Sequence, residues 1–366
     1  MKFTIPRLEL VSLIGKVQTI VPTKPTPPIL GHILIEAKNG QIVISATDLT
    51  TSIRAFIQAE IEEEGSIALP AKKFFQLIRE VTAPQVEVHC QAADGAFITA
   101  GTSHFKMSGM NTQEFPTFPD LSSGTRFSID NKTLKEMLTR SSFAAARDDN
   151  RQVLNGILFQ NANATGTFVG TDGKRLAKLR MAIIQPETTS SSHILPLKAV
   201  EEIIKLLDKE EESSTLTLMS DKVSIEVGSI ILISKLLFGK YPDVERVIPQ
   251  KSEEPISLHR EELISLLRQV SLFIAEPSSA VRFSFSPGEL NLSAISNDIG
   301  EGKATMAVNY AGPQLQVAFN PLSFIDVLRH SKDEIVQLTL TDSFNPGLIT
   351  DSTEAQFVIM PMRLDA

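Results

Sequence analysis

The chain has 366 residues, of which 42% are hydrophobic and 21% are charged, a composition typical of globular domains. Its length predicts two or three domains. The formal net charge of −8 argues against a protein that coats itself with nucleic acid, because such proteins are usually basic. No apolar run is long enough to cross a bilayer, and residues 1–6 follow a strand pattern rather than that of a signal peptide, so we expect a cytoplasmic protein with no membrane partner.

A strand followed by a helix occurs three times along the chain, in Phe3–Leu10, Phe127–Leu134 and Ile256–Leu263. A second pattern recurs in the same order, with Leu69–Lys72, Leu195–Lys198 and Phe319–Leu322 each opening an amphipathic helix. The repeats are about 125 residues apart, the size of a compact domain. We therefore predict three copies of one domain, with bounds 1–122, 123–248 and 249–366.

Each predicted copy contains two helices and several strands, which gives an α+β fold class with antiparallel sheets. In the first copy, alternating apolar residues and turn residues predict the strands Lys2–Pro6, Ile33–Ala37, Gln41–Ala46, Thr51–Glu60, Ser66–Leu69, Val86–Gln91, Ala96–Ala100 and Phe105–Gly109. Over the whole chain, the predicted helices are Arg7–Gln18, Ala71–Thr82, Asp130–Arg147, Leu197–Leu207, His259–Ile274 and Asn320–Lys332. Proline immediately before the first two favours a helix start there.

Charge is distributed unevenly between helices and the rest of the chain. The three copies carry −2, +1 and −7, in chain order. The six predicted helices nevertheless carry +6, and everything else carries −14. The sequence therefore predicts positive helices on an acidic protein.

No arrangement of residues indicates catalysis, a metal site or a cofactor. The glycines before Lys174 do not form a phosphate-binding loop, because Phe168 and Arg175 replace the glycine and hydroxyl residue that the motif needs, so a hairpin turn is favoured. Asp148 and Asp149 could bind magnesium, but adjacent arginines favour an internally paired loop. The single cysteine, Cys90, closes an alternating strand pattern and is read as a small buried hydrophobe.

Several short segments together resemble the β subunit of bacterial DNA polymerase III, the replicative sliding clamp. The resemblance covers essentially the whole chain and is carried by Lys24–Gly31, Ala46–Asp48, Leu69–Phe75, Leu154–Gly156, Thr171–Ala177, Ser234–Leu236, Tyr241–Asp243 and Met360–Leu364. Each segment is weak alone, but their order and spacing are specific. The resemblance implies a head-to-tail homodimer of three-domain protomers, a ring whose helices line a central hole and whose sheets lie outside.

The resemblance also implies that the ring encircles double-stranded DNA. A positive inner wall would hold the phosphates loosely, and an acidic exterior would repel other DNA. The residues expected to face DNA are Lys24, Lys72, Lys73, Arg79, Lys132, Lys135, Arg140, Lys198 and Lys235. Gln152 and Val153 stand where some relatives carry aromatic residues near DNA.

A second implied surface is a small apolar pocket for short linear peptides from the polymerase III catalytic subunit, the clamp loader and other proteins with a clamp-binding motif. The matching residues are Leu154, Thr171, Gly173, Arg175, Leu176, Pro242, Val247, Phe344, Pro346, Val358, Met360, Pro361, Met362 and Arg363. The methionines suit a site that serves several partners, although they could also fill a core. Asp365 and Ala366 extend the chain beyond the Arg-Leu ending of other members.

The resemblance places the dimer contact between an apolar patch of Ile78 and Phe105 in one protomer and Leu272 and Phe273 in the other. Two alternatives to a non-enzymatic clamp remain open. One is a nucleic-acid-modifying enzyme with a dispersed site, which would show turnover. The other is a scaffold that shares the peptide pocket but never touches DNA.

Overall fold

The computed structural model describes residues 1–92, 95–121, 124–183, 190–207, 213–274 and 280–363. In it, proline and alternating apolar residues determine where the helices and strands begin. Pro6 and Pro70 immediately precede the helices α1 (Arg7–Val17) and α2 (Ala71–Glu80). The last helix, α6 (Pro321–His330), begins with proline, and Asn320 caps it by accepting a hydrogen bond from the Ser323 amide at 3.0 Å. These starts agree with the sequence prediction.

The described residues divide into two compact units, which comprise residues 1–132 with 201–236 and residues 133–200 with 237–366. The first unit contains a five-stranded and an eight-stranded antiparallel sheet. In chain order, its strands are β1 (Lys2–Pro6), β2 (His32–Lys38), β3 (Gln41–Thr47), β4 (Thr51–Gln58), β5 (Glu60–Glu63), β6 (Gly65–Pro70), β7 (Gln85–Ala92), β8 (Gly95–Ala100), β9 (Ser103–Ser108), β10 (Thr125–Asp130), β15 (Ser213–Leu218), β16 (Lys222–Val227) and β17 (Ile230–Lys235). The five-stranded order is β5-β1-β7-β8-β9, and the eight-stranded order is β10-β15-β16-β17-β4-β3-β2-β6.

The second unit again contains two antiparallel sheets. Its strands are β11 (Gly156–Ala162), β12 (Thr165–Thr171), β13 (Arg175–Ala182), β14 (Ser191–Pro196), β18 (Ile256–His259), β19 (Val281–Ser286), β20 (Glu289–Ser296), β21 (Gly300–Ala307), β22 (Leu315–Phe319), β23 (Ile335–Thr339), β24 (Gly347–Thr350) and β25 (Gln356–Ile359). Their orders are β14-β11-β12-β13-β25-β24-β23-β18 and β21-β20-β19-β22. The remaining helices are α3 (Asn131–Ser142), α4 (Leu197–Leu206) and α5 (Arg260–Val270). The chain passes from one unit to the other three times: within α3, within α4 and between Leu236 and Leu237.

Strand pairing joins neighbouring sequence repeats into continuous sheets. In the first unit, Ile230 of β17 pairs with Ala55 of β4. In the second unit, Arg175 of β13 pairs with Ile359 of β25. The two compact units therefore do not coincide with the three predicted copies, and residues 122 and 123 at the first predicted bound lie outside the described residues. The three bounds stay a prediction.

Each unit places its core between helices and sheets. In the first unit, α1 packs on α2 and on β3 and β4. In the second, α5 packs on α6 and on β20 and β21. Strand burial alternates as predicted, for example in β1, where Phe3 and Ile5 are fully buried. Cys90 is buried in β7, which confirms its prediction, and burial raises the pKa of its thiol from 9.0 to about 11.

Two predicted elements show the largest differences in extent from the structure. The predicted strand Thr51–Glu60 is interrupted at Ala59, whose amide bonds to the Gly40 carbonyl, so that β4 and β5 are separate strands in different sheets. The predicted helix Asp130–Arg147 ends at Ser142. Beyond it the chain turns, and the Ala146 amide donates to the Leu154 carbonyl at 2.9 Å instead of to a helical carbonyl.

Candidate functional site

An apolar cavity of about 170 Å³ lies within the second unit. Its lining residues are Arg151, Leu154, Thr171, Gly173, Arg175, Leu176, Pro242, Asp243, Val244, Val247, Val358 and Met360. This volume is close to that of apolar cavities that hold a benzene-sized group. The cavity can therefore receive an apolar side chain of a ligand.

Neighbouring strands and two short 3₁₀ turns build the cavity wall. Leu176 of β13 pairs directly with Val358 of β25, which places both side chains on one face of the sheet. The 3₁₀ turn Gln152–Asn155 supplies Leu154, and the 3₁₀ turn Val244–Val247 supplies both of its terminal valines. Leu176, Val358 and Leu154 also belong to one buried core cluster, so the wall is rigidly supported.

A tight turn between β12 and β13 shapes the cavity rim. Thr171 Oγ1 donates to the Arg175 carbonyl at 2.6 Å, and Asp172 Oδ1 accepts from the amides of Lys174 and Arg175 at 2.8 and 2.9 Å. Gly173 has a φ of 85°, in the left-handed region that favours glycine. The predicted hairpin turn at these residues is confirmed.

The two arginines at the cavity are paired with carboxylates. Arg175 donates from Nε to Asp172 Oδ2 at 3.2 Å and from Nη1 to Asp326 Oδ2 at 2.7 Å. Arg151 donates from Nε and Nη2 to Asp149 at 3.0 and 2.9 Å, and these bonds lower the pKa of Asp149 to about 2. The loop containing Asp149 is thus internally paired, as the sequence predicted.

The segment from Met360 to Arg363 separates the cavity from a second groove. The Met360 amide donates to the Lys174 carbonyl at 2.9 Å, and the Met362 amide donates to the Ala318 carbonyl at 2.8 Å. The groove has a volume of about 650 Å³ and is lined by Gln316, Val317, Ala318, Ser343, Phe344, Pro361, Met362 and Arg363. The Phe344 side chain is 83% exposed at this groove.

The predicted pocket residues fall into three groups. Nine line the cavity: Leu154, Thr171, Gly173, Arg175, Leu176, Pro242, Val247, Val358 and Met360. Four line the groove instead: Phe344, Pro361, Met362 and Arg363. Pro346 lines neither one.

Sequence reasoning missed seven lining residues. They are Arg151, Asp243 and Val244 at the cavity and Gln316, Val317, Ala318 and Ser343 at the groove. Adjacency to Pro242 was an available signal for Asp243 and Val244. No local signal marks residues 316–318, because they meet the chain's last segment only in the folded structure, through the hydrogen bond from the Met362 amide to the Ala318 carbonyl. Leu364, Asp365 and Ala366, which the sequence analysis singled out, lie outside the described residues.

Three family models match consecutive segments that together span nearly the whole chain. The models of the N-terminal, central and C-terminal domains of the DNA polymerase III beta subunit match residues 1–119, 128–243 and 245–363. The chain belongs to the DNA polymerase III beta subunit family. The resemblance inferred from short segments is thereby confirmed.

Full-length similarity to individual beta subunits agrees with this membership. The beta sliding clamp of Chlamydia trachomatis serovar D is 50% identical over 364 residues, which cover 100% of this chain and 87% of that protein. The crystal structure of the beta subunit from Pseudomonas aeruginosa is 28% identical, with a TM-score of 0.96 and full coverage of both chains. A crystal structure of the same organism's clamp bound to griselimycin has a TM-score of 0.95, 28% identity and full coverage of both chains.

Most residues predicted to face DNA have side chains exposed to solvent. Lys24, Lys72, Lys73, Arg79, Lys132, Lys198 and Lys235 are exposed, and Lys135 is half-buried. Arg140 is the exception and requires a correction. Its guanidinium is buried, donates to the His330 carbonyl at 2.7 Å, and pairs with Glu136 and Asp351, so its charge is committed inside the protein.

The residues predicted at the dimer contact differ in their exposure to solvent. Leu272 is 73% exposed, and Phe105 and Phe273 are half-buried. Ile78 is fully buried on the core face of α2, so its predicted place in an interface is wrong. Phe273 packs so closely on Gly302 of β21 that a Cβ there would lie 2.4 Å from its ring.

The described residues contain neither a membrane-spanning helix nor a cluster of metal-ligating side chains. Among the described residues, no helix is both long and apolar enough to cross a membrane. Within the same ranges, no three histidine, cysteine or acidic residues lie where they could share a metal ion.

Proposed function

We propose that this chain is a DNA sliding clamp, a processivity factor that encircles duplex DNA and tethers the replicative polymerase and other DNA-processing proteins. The observation that carries the proposal is the match of all three beta-subunit domains in order along one chain. The clamp works without catalysis of its own, because a closed ring holds DNA by topology. It acts in the cytoplasm, where bacterial chromosomes are replicated.

Charge supports the DNA-encircling part of the proposal. The six helices carry a net charge of +5, whereas the whole chain carries −8. The exposed cations Lys72, Lys73 and Arg79 all belong to α2. A few such cations attract phosphates by a salt-dependent interaction that is too weak to prevent sliding. The proposed DNA-facing set therefore keeps the predicted residues except Arg140.

The cavity supports the tethering part of the proposal. A short peptide with a glutamine and a terminal Leu-Phe pair would place apolar side chains against Leu176, Val247 and Met360. A few hundred Å² of apolar burial contributes several kcal/mol at about 25 cal/mol per Å². Association and ordering of the peptide offset part of this gain, so a dissociation constant around micromolar is expected. The groove with Phe344 and Met362 extends the proposed peptide site.

Unpaired sheet edges support a head-to-tail dimer. The strand β9, which contains Phe105, is an outer strand of its sheet, and β21, against which Phe273 packs, is an outer strand of another. Outer strands present free backbone groups to a partner. We propose that β9 of one protomer meets the region of Leu272 and Phe273 in the other, and that two identical contacts of this kind close the ring. The proposed domains keep the bounds 1–122, 123–248 and 249–366.

Retention on circular DNA tests the proposal. Clamp loaded on nicked circular duplex should remain bound through a wash in high salt, and cutting the circle should release it. A protein held by phosphate contacts would instead leave the circle as salt rises. If linearisation left the protein on the DNA, the encircling mechanism would be wrong.

The same assay separates the alternatives. A scaffold that never touches DNA would not be retained on the circle, and neutralising Lys72, Lys73 and Lys132 would not change its partner binding. A nucleic-acid-modifying enzyme would convert the DNA during incubation, whereas a clamp would leave it unchanged and only lengthen a polymerase's products.

A further inference from the structure

The carboxylate of Asp326 reaches the cavity arginine from a different sequence repeat. Asp326 lies on α6, and its Oδ2 accepts a hydrogen bond from Arg175 Nη1 at 2.7 Å. Asp172, the other partner of Arg175, also holds the β12–β13 turn through two backbone amides. Asp326 bonds to none of those turn amides among the described residues, so its carboxylate acts on arginine side chains: on Arg175 and, at 3.9 Å from Oδ1, on Nη1 of the exposed Arg329.

Aromatic stacking fixes the same guanidinium from another side. Arg175 lies over the Phe143 ring, 5.4 Å from its centroid, and Phe143 stacks on His330 with centroids 4.0 Å apart. His330 Nδ1 in turn bonds to the Asp326 carbonyl at 2.7 Å. Asp326 thus holds both ends of a three-member stack, one through its carboxylate and one through its backbone.

This pairing leaves little of the arginine's charge for a ligand. Nε and Nη1 are each bonded to a carboxylate, and among the described residues Nη2 has no hydrogen-bond partner. The Arg175 side chain is only 16% exposed and that of Asp326 is 37% exposed, so water screens this pair only in part. At Arg175, the cavity therefore presents one neutralised donor rather than a free cation.

We infer that Asp326 is a positioning residue that sets the ligand specificity of the cavity. By orienting Arg175 and adding a second carboxylate to the one that Asp172 supplies, it adapts the site to an uncharged peptide end and weakens the attraction that the guanidinium would exert on a ligand carboxylate. This inference rests on the proposed function, in which the cavity binds a short peptide.

Two peptides that differ by one charge test the inference. The probes are acetylated Gln-Leu-Ser-Leu-Phe with a carboxamide end and the same peptide with a free carboxylate. Calorimetry on the full-length wild-type protein should give affinities for the two peptides that agree within about twofold. In Asp326→Asn, the ratio of affinities should shift about fivefold towards the carboxylate form, the effect of one unit charge at roughly 8 Å in a partly hydrated site. This shift in the affinity ratio should become smaller as the salt concentration rises.

A matched variant controls for net charge. Glu334→Gln removes one negative charge from a side chain that is 79% exposed and pairs with His259, not with Arg175. Its affinity ratio should equal that of the wild type. Thermal unfolding checks that Asp326→Asn, which keeps the side chain's size, is folded.

Each other outcome overturns the inference in a distinguishable way. An unchanged ratio in Asp326→Asn, or an equal loss for both peptides, would mean that Asp326 only supports the fold. A shift of the same size in Glu334→Gln would assign the effect to overall charge. If the wild type bound neither peptide, the proposed peptide site itself would be wrong.

Discussion

Arg140 and Asp351 form a buried ion pair although 211 residues separate them in the chain. The Asp351 side chain is fully buried, and that of Arg140 is 6% exposed. Arg140 also bonds to Glu136 and to the carbonyl at the end of α6. This pair ties α3 to the last strands of the chain within the second unit.

Arg140→Met should lower the free energy of unfolding by about 3–5 kcal/mol, because it leaves the Asp351 carboxylate buried without its partner. Urea unfolding followed by circular dichroism measures the change. Lys132→Met on the same helix is the control, since Lys132 is exposed, and it should change stability by less than about 0.5 kcal/mol. Equal losses in the two variants would contradict the assignment of Arg140 to the interior.

Met360→Ala combined with Val247→Ala should weaken binding of the amidated peptide at least tenfold, or about 1.4 kcal/mol. Both side chains line the cavity yet are partly exposed, 37% and 42%, so their removal costs the fold little. Leu176 is less suitable, because it is buried in the core cluster. Phe238→Ala removes a side chain that is 74% exposed and lines neither cavity nor groove, and it should leave the affinity unchanged. Calorimetry measures the peptide affinity of each variant. Wild-type affinity in the double variant would mean that the peptide binds outside this cavity.

Leu272→Asp should convert a dimer of about 80 kDa into 40.1 kDa monomers that remain folded. Leu272 is 73% exposed, so a charge there is tolerated by the monomer but is costly inside an apolar interface. Light scattering at micromolar concentration measures the mass. Leu322→Asp, also at an exposed leucine, should remain dimeric. A monomeric wild type would count against the proposed ring.

Unlike Leu272→Asp, Ile78→Ala should lower stability without dissociating the dimer. Because Ile78 is fully buried, its truncation should cost about 2–5 kcal/mol of unfolding free energy while the protein remains a dimer at temperatures where it is folded. Urea unfolding and light scattering on the same sample test the two parts. A stable monomer would restore Ile78 to the interface.

Acid should destabilise the second unit through His330. Burial lowers the pKa of His330 below its ordinary value of 6.5, so the unfolded chain binds a proton more readily than the folded one. The unfolding free energy therefore falls as pH drops below about 6.5, and this contribution is fully present above that value. His330→Gln should flatten the pH dependence of urea unfolding between about pH 5 and pH 7. His193, whose pKa burial also lowers, accounts for part of the remaining slope. An unchanged slope would contradict this role for His330.

Local patterns in the sequence were sufficient to predict most of the helices and strands. Proline before α1 and α2, and asparagine with proline at the start of α6, act on the backbone within one turn and so can be read directly. Strand alternation is equally local. The end of α3 was not predictable in this way, because the chain beyond Ser142 turns and bonds elsewhere, as the Ala146 amide does to the carbonyl of Leu154 in the following 3₁₀ turn.

The sequence by itself determined the three repeats, the positive helices, the family resemblance and nine of the residues that line the cavity. Only the tertiary structure decided which cations are free and which apolar residues are exposed. Lys132 and Arg140 are both cations of α3, yet the first is exposed and the second is buried and paired with Asp351. Likewise, Asp326 meets Arg175 only because the sheet of the second unit joins β13 to β25. Burial and pairing are set by partners distant in the chain, and no local pattern encodes them.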